Sequence, residues 1–152
     1  MDTQVVTTDD ISTWFNNLIE LFKEDFKQIK LGIAEPEKTD FYEAAMNNDY
    51  TKLSQMTRDM SNRHFIQLIT KSYISELKSN KCSFSVLAFD LNNDEILVWA
   101  VIDDNDEASE DLLWLTEAKI NAQFHQYGFT ISTTIIEKSD NIDVPSHYKI
   151  VN

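Results

Sequence analysis

The chain has 152 residues, a formal net charge of −13, an apolar fraction of 42% and a charged fraction of 26%. This length and balance are typical of one globular domain with its own core, and they argue against a disordered chain. The strong negative charge disfavours direct binding to nucleic acid or to anionic lipid, which carry like charge, and it favours a cationic partner.

Two features of the sequence predict a cytoplasmic protein. The first residues, MDTQVVTTDD, carry neither a basic region nor an apolar segment, and no apolar run reaches the length of a membrane span. Cys82 is the single cysteine, which excludes an internal disulfide and fits a reducing compartment. We therefore expect a cytoplasmic location and no membrane partner.

The N-terminal half of the sequence is predicted to be helical. A first helix is expected from about Ile11 to Leu31. Thr8, Asp9 and Asp10 offer side-chain oxygens that could cap its start. Its apolar residues recur three and four positions apart, so one face of the helix is apolar. They are Trp14, Leu18, Leu21, Phe22, Phe26 and Ile29.

Three further helical segments follow a polar connection, GIAEPEKTD, that contains Pro36. The first is DFYEAAMNN, with Asp40 as its cap, and the second is DYTKLSQMTRDM. The third, NRHFIQLITKSYISELKSN, has apolar residues at helical spacing, which predict a face toward the core. Those residues are Phe65, Leu68, Ile69, Tyr73 and Leu77.

The sequence contains two glycines, Gly32 and Gly128, and each follows a helical pattern. We expect both to end helices in the left-handed conformation that glycine adopts without strain. No glycine then remains for a phosphate-binding loop, and neither a Walker A nor a GxGxxG pattern is present. A nucleotide cofactor is therefore not expected, and the sequence indicates no other cofactor.

After Lys81 the apolar period changes from helical to alternating, which predicts strands. The runs SFSVLAFDL and EILVWAVID form the first two strands, joined by a tight hairpin connection at LNNDE. The second run is apolar on both faces, so it is expected to be a central strand covered on both sides. We expect the N-terminal helical half to cover one face and the last helix to cover the other.

The last helix is expected from about Asp106 to Tyr127, before a third strand at FTISTTIIEK and a short final strand at HYKIV. A right-handed crossover makes the second and third strands parallel and places the first three strands in chain order. The predicted fold class is therefore α+β, with an N-terminal helical half (about 8–80) packed on the small mixed sheet of a β-β-α-β half (about 81–152). Residues 1–152 are expected to form a single domain.

A second apolar stripe on the last helix has two interpretations. Trp114, Ala118 and Ala122 lie four residues apart, beside the apolar stripe that is expected to face the sheet. The interpretation that we favour is an internal helical layer, in which small side chains allow another helix to approach closely. The alternative is a homodimer face.

Between the second strand and the last helix, six acidic side chains fall within nine positions. They are Asp103, Asp104, Asp106, Glu107, Glu110 and Asp111. A calcium-binding loop that began at Asp103 would need Gly at the position of Ala108 and Glu at the position of Trp114, so the stretch does not match an EF-hand.

The six acids have a structural interpretation and a functional one. Acidic side chains in the first turn stabilise a helix, and Asp103 or Asp106 could cap it. Yet the number of acids exceeds what one helix start requires, and residues 81–152 already hold 13 acidic and 4 basic side chains, a net charge of −9. We therefore keep the cluster as a hypothetical binding surface for a cationic protein.

Metal and catalytic chemistry have little support in the sequence. His64, His125 and His147 are far apart and lack the spacing of a zinc site, so no metal is predicted. Cys82 follows Lys81, whose charge would favour a thiolate, but the preferred role of this thiol is that of a small apolar side chain. Three acids near the ends of strands could meet as a hydrolytic pair, although solvated charges are the preferred interpretation. They are Asp90, Asp103 and Glu137.

Three functions remain, in order of preference. The first is a non-enzymatic protein-binding module with a basic partner, of the kind represented by small inhibitors and immunity proteins, and with no direct nucleic-acid contact. The second is a homo-oligomeric accessory or structural subunit that associates through the Trp114 stripe. The third is an enzyme with a site at the strand ends, so that an enzyme is the less expected class and no catalytic residue is assigned.

Overall fold

The computed structural model describes residues 5–92 and 94–151. These residues form four α-helices, two short 3-10 helices (His125–Tyr127 and Lys138–Asp140) and four strands, an α+β architecture as the sequence predicted. The α-helices and strands are α1 (Thr8–Lys30), α2 (Pro36–Met46), α3 (Tyr50–Ser79), β1 (Val86–Asn92), β2 (Glu95–Ile102), α4 (Glu107–Phe124), β3 (Thr130–Glu137) and β4 (Lys149–Ile150). The chain divides into two compact units, Met1–Thr57 and Arg58–Asn152, and the division falls within α3.

Helix α1 begins at a capping box. The Oγ1 atom of Thr7 accepts a hydrogen bond from the N–H of Asp10 at 3.2 Å, and the carboxylate of Asp10 accepts one from the N–H of Thr7 at 2.9 Å. Asp10 therefore acts from the third helical position, and Thr7 takes the capping role that the sequence suggested for residues 8–10. At the other end Gly32 has a φ of 71° and closes the helix, as predicted.

The next two helices differ from the predicted segments at their boundaries. Pro36 opens α2 instead of lying in the connection, because a proline at the first helical position removes an N–H that has no partner there. The two segments predicted between positions 49 and 80 are one continuous helix, α3, since no glycine or proline interrupts them. Asp49 caps α3 by accepting a hydrogen bond from the N–H of Lys52 at 3.1 Å.

The four strands form one mixed sheet in the order β3-β2-β1-β4. Strands β1 and β2 are antiparallel, and Asn92 pairs with Glu95 across a two-residue connection whose first position, 93, lies outside the described residues. Strands β2 and β3 are parallel, as predicted, and the predicted order of the first three strands is confirmed. The short final strand, β4, pairs antiparallel with β1 at the edge.

Helices α3 and α4 pack on the same face of the sheet, within the second unit. They contribute to one core cluster with the buried residues of β1 and β2, and the ammonium of Lys119 on α4 lies 2.7 Å from the carboxylate of Glu76 on α3. The residues that the two helices bury in this cluster are Ile69, Tyr73, Leu77, Leu113, Ile120 and Phe124. Of the predicted core face of α3, Phe65 is half-buried against this cluster and Leu68 is exposed.

The expectation that the two faces of β2 would be covered by different helical layers is therefore wrong. On the face away from α3 and α4, Leu97, Trp99 and Val101 are half-buried. The ring of Tyr148, in the C-terminal segment, lies 5.8 Å from the ring of Trp99 in an edge-on arrangement. A loop therefore supplies part of the cover on this face that the sequence assigned to the N-terminal helices.

Candidate functional site

The acidic stretch forms the turn between β2 and α4. The N–H of Asp106 donates to the carbonyl oxygen of Asp103 at 3.2 Å, and Asn105 adopts the left-handed conformation with a φ of 59°. The carboxylate of Asp106 then accepts a hydrogen bond from the N–H of Ser109 at 3.1 Å, which caps α4. Hydrogen bonds from Ser109 hold the pKa of the Asp106 carboxyl below its usual value.

Two more acids of this stretch are bound to the end of β3. Because β2 and β3 are parallel, their carboxyl ends lie at the same edge of the sheet. The carboxylate of Asp104 accepts a hydrogen bond from the N–H of Ser139 at 2.8 Å, and Asp103 forms an ion pair with Lys138. Glu137 in turn accepts a hydrogen bond from the N–H of Asn105 at 2.8 Å.

The six acids therefore separate into two groups. Asp103, Asp104 and Asp106 hold the turn together, although the sequence indicated only a cap and a favourable first turn. Glu107, Glu110 and Asp111 are exposed on the first turns of α4. Glu110 also lies within 3.4 Å of the indole nitrogen of Trp114. The second group adds exposed negative charge at this junction.

The three acids considered for hydrolysis do not form one site. Asp103 and Glu137 meet at the carboxyl edge of β2 and β3, where both are engaged with the turn. Asp90 pairs in register with Leu97, in the half of β2 nearer its start, and lies 3.8 Å from the imidazole of His147. Distance along β2 therefore separates Asp90 from the other two carboxylates.

Cys82 and the histidines also show no assembled site. Burial raises the pKa of the Cys82 thiol, and its sulfur lies 3.6 Å from the carbonyl oxygen of Ser109, as a weak donor. A raised pKa favours the neutral thiol over the thiolate. His64 packs edge-on against Phe65. Within residues 5–92 and 94–151, no three His, Cys, Asp or Glu side chains are close enough together to hold a metal ion.

The Trp114 stripe of α4 is exposed to solvent. Trp114 retains 45% of its accessible surface, its neighbour Leu115 retains 66%, and Ala118 and Ala122 are exposed as well. The favoured interpretation of this stripe as an internal helical layer is therefore wrong. The face of α4 that packs inward is the one that carries Leu113.

A larger apolar surface lies on α1, where the sequence had indicated an apolar face without assigning it a role. None of the 23 residues of α1 is buried. Seven of its large apolar side chains retain between 46% and 66% of their accessible surface. They are Ile11, Trp14, Phe15, Ile19, Leu21, Phe22 and Phe26.

The sequence does contain a signal for this surface. Besides the six apolar residues expected on one face, α1 carries Ile11, Phe15 and Ile19, which raise the number of apolar side chains on or beside that face to nine. Val6 and Asp10 join three of the exposed residues, Ile11, Trp14 and Phe15, around a shallow cavity of about 480 Å³ at the start of the helix.

Helix α2 fixes the C-terminal half of α1 through polar contacts. The carboxylate of Asp25 lies 2.7 Å from the ammonium of Lys38 and accepts a hydrogen bond from the Tyr42 hydroxyl at 2.6 Å. These partners lower the pKa of the Asp25 carboxyl, whereas burial and the hydrogen bond to Asp25 raise the pKa of Tyr42 to about 12. Among the described residues of this unit, 5–57, only Ala44 is fully buried.

Comparison of the chain with known protein families, with curated proteins and with solved structures found no match. Function is therefore inferred from the surfaces themselves. In the part of the chain that the structure describes, none of the helices has both the length and the apolar character needed to cross a membrane.

Proposed function

We propose that the protein is a non-enzymatic protein-binding module and that α1 carries its binding surface. The observation that supports this proposal is the exposed apolar face of α1, a helix of 23 residues without a buried side chain. If half of the ~200 Å² that a large apolar side chain can bury stays in water, its seven exposed side chains leave about 700 Å² uncovered. That area exceeds the roughly 300–600 Å² of the largest apolar patch on a typical monomer.

The charges of α1 favour a protein over a lipid surface as the partner. Helices that lie on membranes carry Lys and Arg along their polar face. In α1 five acids stand against three lysines, a net charge of −2, so anionic lipid would be repelled. The acids are Asp9, Asp10, Glu20, Glu24 and Asp25, and the bases are Lys23, Lys27 and Lys30.

A basic partner is supported by the charge of the whole chain and by the exposed acids of the β2–α4 junction. With a net charge of −13, the protein attracts cationic surfaces over a Debye length of about 8 Å at physiological salt. Glu107, Glu110 and Asp111, which belong to the second unit, are exposed charges that would act mainly on the rate of association and on its salt dependence.

The exposed Trp114 stripe on α4 supports the second candidate function, a homo-oligomeric accessory subunit. A tryptophan beside two alanines offers a large anchor and room for close helix contact. Its apolar area is smaller than that of α1, because two of its members are alanines. This function therefore ranks below the binding module.

The enzyme alternative has less support from the cavities. A groove of about 530 Å³ runs along α3 over Ile66, Ile74 and Leu91, and its lining includes Lys71 and Lys78 but no carboxylate or imidazole. General acid–base catalysis requires positioned titratable groups of suitable pKa. An acid and an imidazole do meet beside a smaller cavity of about 220 Å³, where the side chain of His147 keeps 59% of its exposure.

Affinity capture from an extract of the source cells tests the proposal. The bait is compared with a variant of the α1 surface, Phe15→Ser with Ile19→Ser and Phe26→Ser, and with a matched polar-face control, Asn16→Ser with Lys23→Gln. We expect proteins that the unchanged chain and the control capture to be lost with the surface variant. Capture of the same proteins by all three baits would contradict a binding role for α1.

The charge of the partner is tested separately at the β2–α4 junction. A variant with Glu107→Gln, Glu110→Gln and Asp111→Asn should retain the partner at 50 mM salt and release it at a lower salt concentration than the unchanged chain does, on the order of 150 mM against 500 mM. Identical salt profiles for the two baits would argue against a contribution of these acids.

A further inference from the structure

We infer that the groove along α3 binds a small molecule that has an aliphatic chain and a carboxylate head group. The groove lies in the second unit, on a surface to which the proposed function assigns no role. Three properties of the groove support the inference, namely the order of apolar and basic side chains along α3, the lack of ion-pair partners for those bases and the volume of the site.

Apolar and basic side chains lie side by side along this face of α3. Ile66, Thr70 and Ile74 follow one another at four-residue spacing, so their side chains form one row along the helix. All three residues are half-buried, whereas Lys71 and Lys78 lie on the solvent side of the row and are exposed. The groove therefore has an apolar floor with two ammonium groups at its margin.

The two lysines of the groove stand out in a unit that is otherwise acidic. Residues 58–152 contain 15 acidic and 8 basic side chains, a net charge of −7. Lys119 and Lys138 of this unit are paired with carboxylates. By contrast, neither Lys71 nor Lys78 forms an ion pair within residues 5–92 and 94–151. Two positive charges without a partner beside an apolar floor are complementary to an anion with an apolar body.

The volume of the site suits a small molecule. The groove of about 530 Å³ and the cavity of about 220 Å³ share Thr70 and Leu91 as lining residues, so the two are neighbours. Small-molecule sites commonly measure about 300–1,000 Å³. Phe89 and Val151 also line the smaller cavity, which extends the apolar surface beyond the groove. An aliphatic chain of medium length therefore has room in the groove and at its boundary with the smaller cavity.

The charges of the two spaces assign the carboxylate to the groove along α3. Among the described residues that line this groove there is no acid. The smaller cavity has Lys149 in its lining, but also Asp90, whose charge would repel a carboxylate there. The head group is therefore placed beside Lys71 and Lys78, and the aliphatic chain lies over Ile74 and Leu91.

Thr70, at the boundary of the two spaces, has a hydroxyl group without a partner. Its Oγ1 atom is buried and makes no hydrogen bond within the described part of the chain. Thr57 and Thr116 instead donate to the carbonyl oxygen four residues earlier, at 2.9 and 2.6 Å. Because buried hydroxyls in proteins usually have a partner, a group that accepts hydrogen bonds is expected beside Thr70. This expectation favours a ligand with oxygen atoms over a pure hydrocarbon.

The charge of the whole chain favours a small anion over an acidic protein as the occupant. With a net charge of −13, the chain repels a partner that carries many negative charges. A ligand with one negative charge is repelled less. At physiological salt it interacts mainly with charges within a Debye length of about 8 Å, where the groove presents its lysines.

Isothermal titration calorimetry of the full chain with sodium dodecanoate, below its micelle concentration, tests the site. We expect a single bound molecule per chain with a Kd on the order of 10 µM. Lys71→Gln with Lys78→Gln should weaken binding about tenfold. The matched control, Arg58→Gln with Lys81→Gln, removes the same charge from the same unit outside the lining of both spaces, and it should bind like the unchanged chain.

Two further comparisons separate the apolar contact from the charge and the groove from α1. Leu91→Gln, at a position that is 48% exposed, should weaken binding about tenfold, with circular dichroism to verify the fold. Phe15→Ser with Ile19→Ser on α1 should leave the affinity unchanged. Dodecyltrimethylammonium, which has the same chain and the opposite charge, should not displace dodecanoate.

Each contrary outcome overturns the inference in a different way. Absence of binding up to about 1 mM dodecanoate would exclude the site. Equal affinity of the unchanged chain and the Lys71 and Lys78 variant, or displacement by dodecyltrimethylammonium, would show that the groove does not select an anion. Loss of binding with the α1 variant alone would move the ligand to α1. Extract proteins that only the Lys71 and Lys78 variant fails to capture, with no dodecanoate bound, would replace the small anion by an acidic protein.

Discussion

The side-chain amide of Asn121 on α4 forms two hydrogen bonds with the backbone of Ile131 on β3. Its nitrogen donates to the carbonyl oxygen at 2.9 Å, and its oxygen accepts from the N–H at 2.8 Å. One helical turn earlier, Glu117 accepts a hydrogen bond from the N–H of Thr133 at 2.7 Å. These backbone groups point away from β2, so α4 supplies the outer edge of β3 with the partners that another strand would provide.

Asn121→Ala should therefore destabilise the protein by about 1–3 kcal/mol, because both backbone groups of Ile131 lose their partner in a partly buried place. Urea unfolding gives the free energy, and amide hydrogen exchange should accelerate at Ile131. Gln123→Ala, an exposed position on the same helix, is the control. Equal stability of the two variants would show that these bonds contribute nothing to the fold.

A second polar contact lies inside the core, where the hydroxyls of Tyr73 and Thr133 are 2.9 Å apart. Tyr73→Phe leaves the Thr133 hydroxyl buried without this partner and should cost about 1–2 kcal/mol. The double variant with Thr133→Val should recover most of that loss, since both polar groups are then absent. A double variant whose loss is the sum of the two single losses would contradict the pairing.

The cap of α4 predicts a particular dependence of stability on pH. Hydrogen bonds from Ser109 lower the pKa of the Asp106 carboxyl in the folded state, so its carboxylate stabilises folding above the unfolded pKa of about 3.9. The contribution is lost as the pH falls through the lower folded pKa. Asp106→Ala should thus be less stable at pH 7, and the difference should narrow toward pH 2.

The matched variant for the cap is Asp106→Asn, which keeps an acceptor oxygen but does not titrate. It should lie between the unchanged chain and Asp106→Ala at pH 7 when urea midpoints are compared. A difference between the unchanged chain and Asp106→Ala that stays constant from pH 7 to pH 2 would argue against a role for the ionised carboxylate.

The Cys82 thiol should react slowly in the folded protein, because burial raises its pKa and reduces the thiolate fraction. Iodoacetamide at pH 8 should alkylate it about tenfold more slowly than in urea-unfolded chain. Lys81→Gly removes the neighbouring charge at a position where φ is 55°, so glycine fits without strain. A clear fall in rate on this change would show that Lys81 does activate the thiol.

Periodicity predicted the sheet well because the alternation of side chains fixes which residues share a face. Leu87 pairs with Ala100 and Ile96 pairs with Ile131, so the alternating residues of three strands share one buried face. The parallel pairing of β2 and β3 was predicted because a helix, α4, connects them, and a helical crossover between neighbouring strands makes the strands parallel.

The element that packs on each apolar face could not be predicted from periodicity. The alternation of apolar residues around Trp99 is the same whether a helix or the ring of Tyr148 packs on that side chain. Likewise the apolar residues around Trp114 on α4 and around Phe15 on α1 recur at helical spacing, although both of these helix faces are exposed. Periodicity reports that a face is apolar, whereas its partner depends on long-range packing or on another molecule.

The hydrogen bonds of the acidic turn were also beyond sequence reasoning. Asp104 and Ser139 lie 35 positions apart, and they meet only because β2 and β3 end at the same edge. The number of acids suggested a surplus of charge. The structure shows that Asp103, Asp104 and Asp106 each have a partner in the fold.

The pairing of β4 with β1 bears on aggregation. A sheet normally presents unpaired donors and acceptors along both outer strands, and identical chains can add there to grow fibrils. Here Ala88 and Phe89 pair with β4, and side chains of α4 occupy part of the outer edge of β3. Detachment of residues 149–151 is therefore the local opening that would expose the apolar strand β1 as a template for intermolecular β-sheet.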